Sequence, residues 1–312
     1  MSGSHFQGRI VSLLPSATEM LFALGLEDRL VGVTHECDFP EQVRGLPVLV
    51  RPALALEGLS QADIDAAVSA HMQAGKNLYE IDEQLLAQLA PDLIVTQDLC
   101  QVCAPSGNEL SHALTNLPKK PDILWMSPKT LGGVRGNMID LGRATGCESA
   151  AERILADWDA RVAAVRAWTA RQAARPRVFC MEWFDPVYCA GHWIPEMVRL
   201  AGGQEQLGRE GADSIRIAWD DVRAYAPDVI ILMPCGYSLE QARKTVTPVM
   251  DYPGWKDLPA VQAGRVYLVD ANSYFARPGP RLVDGIELLS HILAGGPWAG
   301  PADAFMALDA PV

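Results

Sequence analysis

The sequence predicts an α/β protein of two Rossmann-like lobes with parallel sheets, joined by a single long rigid helix, with a ligand cleft between the lobes. Three observations carry this. Short apolar runs alternate with amphipathic helical stretches, the pattern of a parallel sheet covered on both faces. The string Ala90-Pro-Asp-Leu-Ile-Val returns in the second half as Ala226-Pro-Asp-Val-Ile-Ile. A stretch without Pro or Gly, Glu148 to Arg175, separates the halves.

The elements follow in order. Arg9–Leu14 is an apolar run suited to a buried strand. Ser16 and Glu19 stand at capping-box spacing before a helix, Met20–Leu24, that runs to Gly25. Leu30–Val33 is a second buried strand and ends at Thr34-His35-Glu36-Cys37. Helix Asp82–Leu89 precedes strand Leu93–Val95, and Ile123–Met126 is a further strand. In the second half, strand Arg177–Met181 leads to helix Glu196–Leu200 and Gly202-Gly203. Helix Asp220–Tyr225 precedes strand Val229–Met233. Gly264–Val269 is a late strand and Arg281–Leu293 the closing helix. Glu19-Met-Leu also resembles Glu196-Met-Val. These markers lie 71 residues before Ala90 and 30 before Ala226. The first half therefore carries about 41 additional residues, placed around Arg51–Tyr79.

In the middle stretch Ala151, Ile154, Leu155, Trp158, Val162, Val165 and Trp168 recur at helical spacing. About 26 helical residues span about 39 Å. They read as an ordinary long helix on one lobe or as a strut fixing the spacing of both; Pro176 ends it. The expected boundaries are 1–147, 148–175 and 176–312.

Composition narrows the function. The chain has 312 residues, 49% hydrophobic and 21% charged, enough for a large core. Its 38 acidic and 26 basic side chains give a net charge of −12. That argues against nucleic acid, whose phosphates demand Lys/Arg clusters that are not visible in the sequence, and against an anionic membrane surface. No apolar run approaches a membrane span, so no membrane insertion is expected. The polar opening carries no export signal, so the sequence as written reads as cytoplasmic, or as periplasmic if it begins after a removed signal. A monomer is expected. Seven cysteines, an odd number, fit free or ligating thiols better than a disulfide framework.

Open parallel sheets bind ligands beyond the carboxyl ends of their strands. There the first half places His35, Glu36 and Cys37, then Gln97, Asp98, Cys100 and Cys103. The second half places Trp183, Phe184, Tyr188, His192 and Trp193, then Cys235 and Tyr237, then Tyr274, Phe275 and Arg277. So many rings suit a large flat apolar ligand with a few polar anchors. The alternative is that they pack the lobe beneath. Cys100-Gln-Val-Cys103 permits a disulfide, a redox dithiol or half a metal site. With Cys37 it could hold zinc or an iron–sulfur centre. No nucleophile elbow, phosphate loop or paired carboxylates argue for catalysis, so no enzyme is expected.

Arg9-Ile-Val-Ser-Leu-Leu-Pro-Ser-Ala-Thr-Glu-Met-Leu-Phe-Ala-Leu-Gly-Leu resembles the opening of the helix-linked substrate-binding proteins of ABC importers for cobalamin, haem and ferric siderophores. Val31-Gly-Val-Thr-His-Glu-Cys-Asp-Phe-Pro, Trp183-Phe-Asp-Pro-Val-Tyr-Cys-Ala-Gly, Leu200-Ala-Gly-Gly and Tyr274-Phe-Ala-Arg-Pro-Gly-Pro-Arg are similar to further segments of that family, nearest its cobalamin-binding branch. The resemblance implies that the protein binds a corrinoid, cobalamin or cobinamide-like, in the cleft without chemistry. Phe184, Trp193, Tyr274, Phe275 and Arg277 fall in cleft-lining segments. It further implies ABC-transporter membrane subunits as partners, docked through an acidic residue on each lobe, here Glu83 and Glu205. The CxxC, Cys37 and the Arg51–Tyr79 stretch depart from the cobalamin-binding pattern. They leave two alternatives: a metal, haem or ferric-chelate binder using thiols and His, and a thiol-dependent redox or cluster-bearing enzyme.

Overall fold

The computed structural model describes residues 6–97, 113–114, 117 and 119–308. They form two compact units. The first holds residues up to Leu59, Asp63–Pro128 and Gly132–Ala156. The second holds Ser60–Ala62, Lys129–Leu131 and Asp157 onward.

The first unit has a six-stranded sheet in the order β4-β3-β2-β1-β5-β6. Its strands are β1 (Ile10–Ser12), β2 (Leu30–Thr34), β3 (Val48–Pro52), β4 (Tyr79–Ile81), β5 (Leu93–Thr96) and β6 (Asp122–Trp125). All pairs are parallel except β3 with β4. β1 and β5 are wholly buried, which is why they read as apolar runs, each closed by one buried hydroxyl residue, Ser12 and Thr96. Helices α1 (Pro15–Ala23), α2 (Gln61–Gln73), α3 (Glu83–Leu89) and α4 (Leu131–Thr145) follow in chain order. The extra residues of the first half thus supply α2 and the antiparallel edge strand β4. Val11, Leu13, Leu49, Leu86 and Ile94 lie in the core.

The second unit repeats the plan in the order β12-β11-β10-β7-β8-β9. Here β7 (Val178–Trp183), β10 (Val229–Leu232) and β11 (Val266–Val269) pair in parallel. β8 (Tyr188–Cys189), β9 (Ile215–Arg216) and β12 (Phe305–Ala307) add on antiparallel. The sheets are therefore parallel at their centres and mixed at their edges. The helices are α5 (Glu148–Thr169), α6 (Ile194–Leu200), α7 (Trp219–Tyr225), α8 (Leu239–Thr245), α9 (Pro259–Gln262), α10 (Ala271–Tyr274) and α11 (Leu282–Ala294). α5 contributes its first residues, to Ala156, to the first unit and the rest to the second. On the second unit, Arg161 of α5 holds Asp284 (2.5 Å) and Glu287 (2.8 Å from Nε) of α11.

The repeated Ala-Pro-Asp string makes the same joint twice. Ala90 and Ala226 close α3 and α7 in the left-handed region, with φ of 42° and 49°. Pro follows, where the helix cannot continue. Asp92 then accepts the backbone N–H of Arg9 at 2.9 Å, and Asp228 that of Arg177 at 2.8 Å. Each carboxylate also takes a cation, Lys119 in one case and Arg177 itself in the other.

Two sequence expectations are corrected. α1 starts at Pro15, with Leu14 as N-cap and no side-chain cap, so Ser16 and Glu19 do not form a capping box. Proline presets the first helical φ and needs no N–H partner, which fixes the start two residues early. α5 spans 22 residues to Thr169, about 33 Å, rather than running on to Arg175. Trp168 Nε1 donates to the Ala294 carbonyl (3.0 Å) and Thr169 Oγ1 to the Leu200 carbonyl (3.4 Å). Residues 170–175 are all exposed, so no packing offsets the entropy of extending the helix.

Candidate ligand-binding site

The strand ends of each unit are considered separately. In the first, β2 ends in Thr34, followed by His35, Glu36 and Cys37. The backbone turns back there, with Cys37 N–H donating to the Thr34 carbonyl. His35 Nδ1 lies 3.1 Å from the Val50 carbonyl, and its Nε2 lies 3.9 Å from the Glu36 carboxylate. The Cys37 thiol turns inward against the hydroxyls of Thr18 (3.2 Å) and Thr34 (3.4 Å), and Thr18 donates to Ser12 (2.9 Å). His35 and Glu36 thus face one another, while Cys37 points into the interior. Cys100 and Cys103 lie outside the described residues. Among the described residues, no three His, Cys, Asp or Glu side chains gather as a metal site.

In the second unit the rings divide. Phe184, Trp193 and Phe275 are 1%, 5% and 2% exposed and pack the interior; Trp193 Nε1 donates to the Phe275 carbonyl at 2.8 Å. Trp183, Tyr188, Tyr237 and Tyr274 stay partly exposed. Trp183 follows the core of β7 and meets Tyr237, from the loop after β10, edge to face at 5.6 Å. Tyr274 ends α10, just beyond β11, and meets Trp298 edge to face. The Asn272 N–H donates to the Tyr237 carbonyl, tying the last two loops together. Arg216 donates to the Tyr188 hydroxyl (2.9 Å) and lies 5.6 Å from that ring's centre. Arg277 is partly exposed beyond Phe275. The result is an aromatic rim at the carboxyl ends of β7, β10 and β11.

Beside it lies a polar cluster. Glu182 accepts the Ser214 hydroxyl, and burial raises its carboxyl above the ordinary range. His192, at φ 52°, has Nε2 3.3 Å from Asp213, which also takes Lys129 at 3.3 Å. Burial lowers the His192 pKa, with Asp213 opposing, so the ring stays neutral at neutral pH.

The two acidic residues expected to dock a transporter are held differently. Glu83 opens α3 behind its N-cap Asp82, which accepts Leu85 N–H at 2.9 Å. A carboxylate there is favoured by the helix dipole. Glu205 folds back onto its own loop, accepting Leu207 N–H (3.3 Å) and Gly208 N–H (2.6 Å). Burial nonetheless lifts its pKa to about 7.

One residue at the rim has no signal in the sequence. Gln61, 5% exposed, belongs to the second unit by its contacts. Its Oε1 accepts the Phe184 N–H at 2.7 Å, and its backbone carbonyl accepts Trp183 Nε1 at 3.2 Å. Nothing in the surrounding polar stretch marks it as buried.

The fold is that of the two-unit α/β solute-binding class, and the family match carries the same assignment. Residues 10–273 match the model of the periplasmic binding protein family, and the chain belongs to that family. It is a substrate-binding protein rather than an enzyme. It is 26% identical over 284 residues to a vitamin B12-binding protein of Vibrio cholerae, covering 89% of this chain and 86% of the relative. It is 24% identical over 288 residues to an ABC transporter substrate-binding lipoprotein of Bacillus subtilis, covering 90% and 78%. A periplasmic haem-binding protein of Pseudomonas aeruginosa shares the fold, with a TM-score of 0.71 at 19% identity over 96% of this chain and 97% of that one. Among the described residues, no helix is long and apolar enough to cross a membrane.

Proposed function

We propose that the protein binds a corrinoid, cobalamin or a cobinamide-like molecule, and delivers it to the membrane subunits of an ABC importer. The observation that carries this reading is the aromatic rim of the second unit. Trp183, Tyr188, Tyr237 and Tyr274 keep exposed ring surface where three strands end, with Arg216, Arg277 and Lys129 among the nearby cations. Such a surface suits a broad, largely uncharged macrocycle; a polyanionic ferric chelate calls for more basic groups. The kinship with a vitamin B12-binding relative supports the same choice. Trp183 and Tyr274 contact the ring system, and Arg277 meets polar groups at its edge. His35 and Glu36 of the first unit belong to the same proposal. Glu83 serves transporter docking, whereas Glu205, folded onto its own loop with its carboxyl lifted to about 7, does not; periplasmic residence goes with that role.

The test is titration with cyanocobalamin, dicyanocobinamide and haemin, followed by tryptophan fluorescence. Saturable quenching at micromolar corrinoid is expected. Quenching by haemin alone, or by none of the three, refutes the corrinoid reading.

A further inference from the structure

Gln61 does more than fill space. Its side-chain orientation is fixed, because the Phe184 N–H requires an acceptor and so takes Oε1 at 2.7 Å. The amide nitrogen then points the other way. It faces the Tyr237 hydroxyl, which it approaches without reaching good hydrogen-bond geometry. The backbone of Gln61 is held independently, by Trp183 Nε1. A buried amide with one end well bonded and the other poorly bonded is costly. Its surroundings nevertheless have the polarity of a primary carboxamide: a donor, Phe184 N–H, for the carbonyl, and a hydroxyl, Tyr237, that can accept from the nitrogen.

We propose that Phe184 N–H and Tyr237 form a subsite for a primary carboxamide arm of the ligand, and that the side chain of Gln61 occupies it in the free protein. The proposal rests on the corrinoid reading, since cobinamide carries primary carboxamides around its ring. An incoming arm displaces Gln61, forming the Phe184 bond that Gln61 gives up and making with Tyr237 a better-formed bond than Gln61 makes there. The subsite sits against Trp183, so the arm docks while the ring system meets the indole.

The experiment compares wild type, Gln61→Ala, and Gln61→Ala with Tyr237→Phe, each titrated with dicyanocobinamide after circular dichroism and melting confirm folding. Removing the competing side chain spares the ligand one hydrogen bond to displace, so Gln61→Ala binds about fivefold more tightly. Adding Tyr237→Phe reverses that gain by about threefold or more. Unchanged or weaker binding by Gln61→Ala overturns the subsite while leaving the corrinoid reading standing. Absence of cobinamide binding in every variant, wild type included, defeats both. Should the double variant fold poorly, Gln61→Asn replaces it. The shorter amide cannot reach Phe184 N–H, so it binds like Gln61→Ala, and wild-type affinity there also overturns the proposal.

Discussion

Glu205 makes the stability of this protein depend on pH near neutrality. Its carboxyl has an ordinary value of 4.5 and is lifted to about 7 by burial, despite accepting two backbone N–H groups. Cys180, Cys189 and Tyr225 lie close enough to interact with it electrostatically. Between the two values the folded state keeps a proton that the unfolded chain has released. Stability therefore falls as pH rises through this window. From about pH 5 to about pH 8 the loss integrates to about 2.5 kcal/mol. Glu205→Gln removes the titration but presents an N–H2 group to one of the two loop donors, losing about 1 kcal/mol at every pH. The variant should be about 1 kcal/mol less stable than wild type at about pH 5 and about 1.5 kcal/mol more stable at about pH 8. Urea unfolding at both pH values measures the difference. A variant less stable than wild type by the same amount at both would show that Glu205 is not buried in its neutral form.

Two further outcomes follow from the fold. Asp228→Ala removes the acceptor of the Arg177 N–H and its guanidinium. With Asp228 39% exposed, screening leaves a loss of about 1 kcal/mol. The bond to Arg177 lowers the Asp228 pKa, so this contribution is present above the ordinary carboxylate value and fades as pH falls through the lowered one. Thermal melts of wild type and variant should therefore converge in acid. Gly208→Ala drives a Cβ into the Ala190 carbonyl oxygen, which is backbone and cannot swing aside. A loss of about 2 kcal/mol or more in denaturant unfolding is expected, and a neutral result would mean the loop relaxes freely.

The strands at the centre of each sheet are legible in the sequence because burial on both faces leaves them almost wholly apolar: Leu93–Thr96, with Thr96 its one polar residue, and Val229–Leu232 are buried at every residue. The Ala-Pro-Asp repeat is legible for a different reason, since each of its residues performs one backbone task at a helix-to-strand joint. The start of α1 is obscured because Ser16 carries a capping pattern that Pro15 pre-empts. The end of α5 is hidden because helix-forming residues continue past Thr169 while anything to pack against does not. Within the candidate site, composition shows the rings but not their directions. Phe184 and Trp183 are adjacent, yet one is core and the other rim, a distinction set by loop geometry. Gln61 is illegible altogether, because only tertiary contact turns that polar residue inward.

The last strand, β12, has its own practical meaning. Phe305–Ala307 zips against β11 in the opposite sense, and Leu308 N–H donates to the Val266 carbonyl. A version of the polypeptide trimmed back to Trp298 would lay bare the unsatisfied flank of β11, a template onto which other molecules could stack. Anyone shortening or tagging this protein for binding work should therefore leave that final segment whole and add any fusion beyond it.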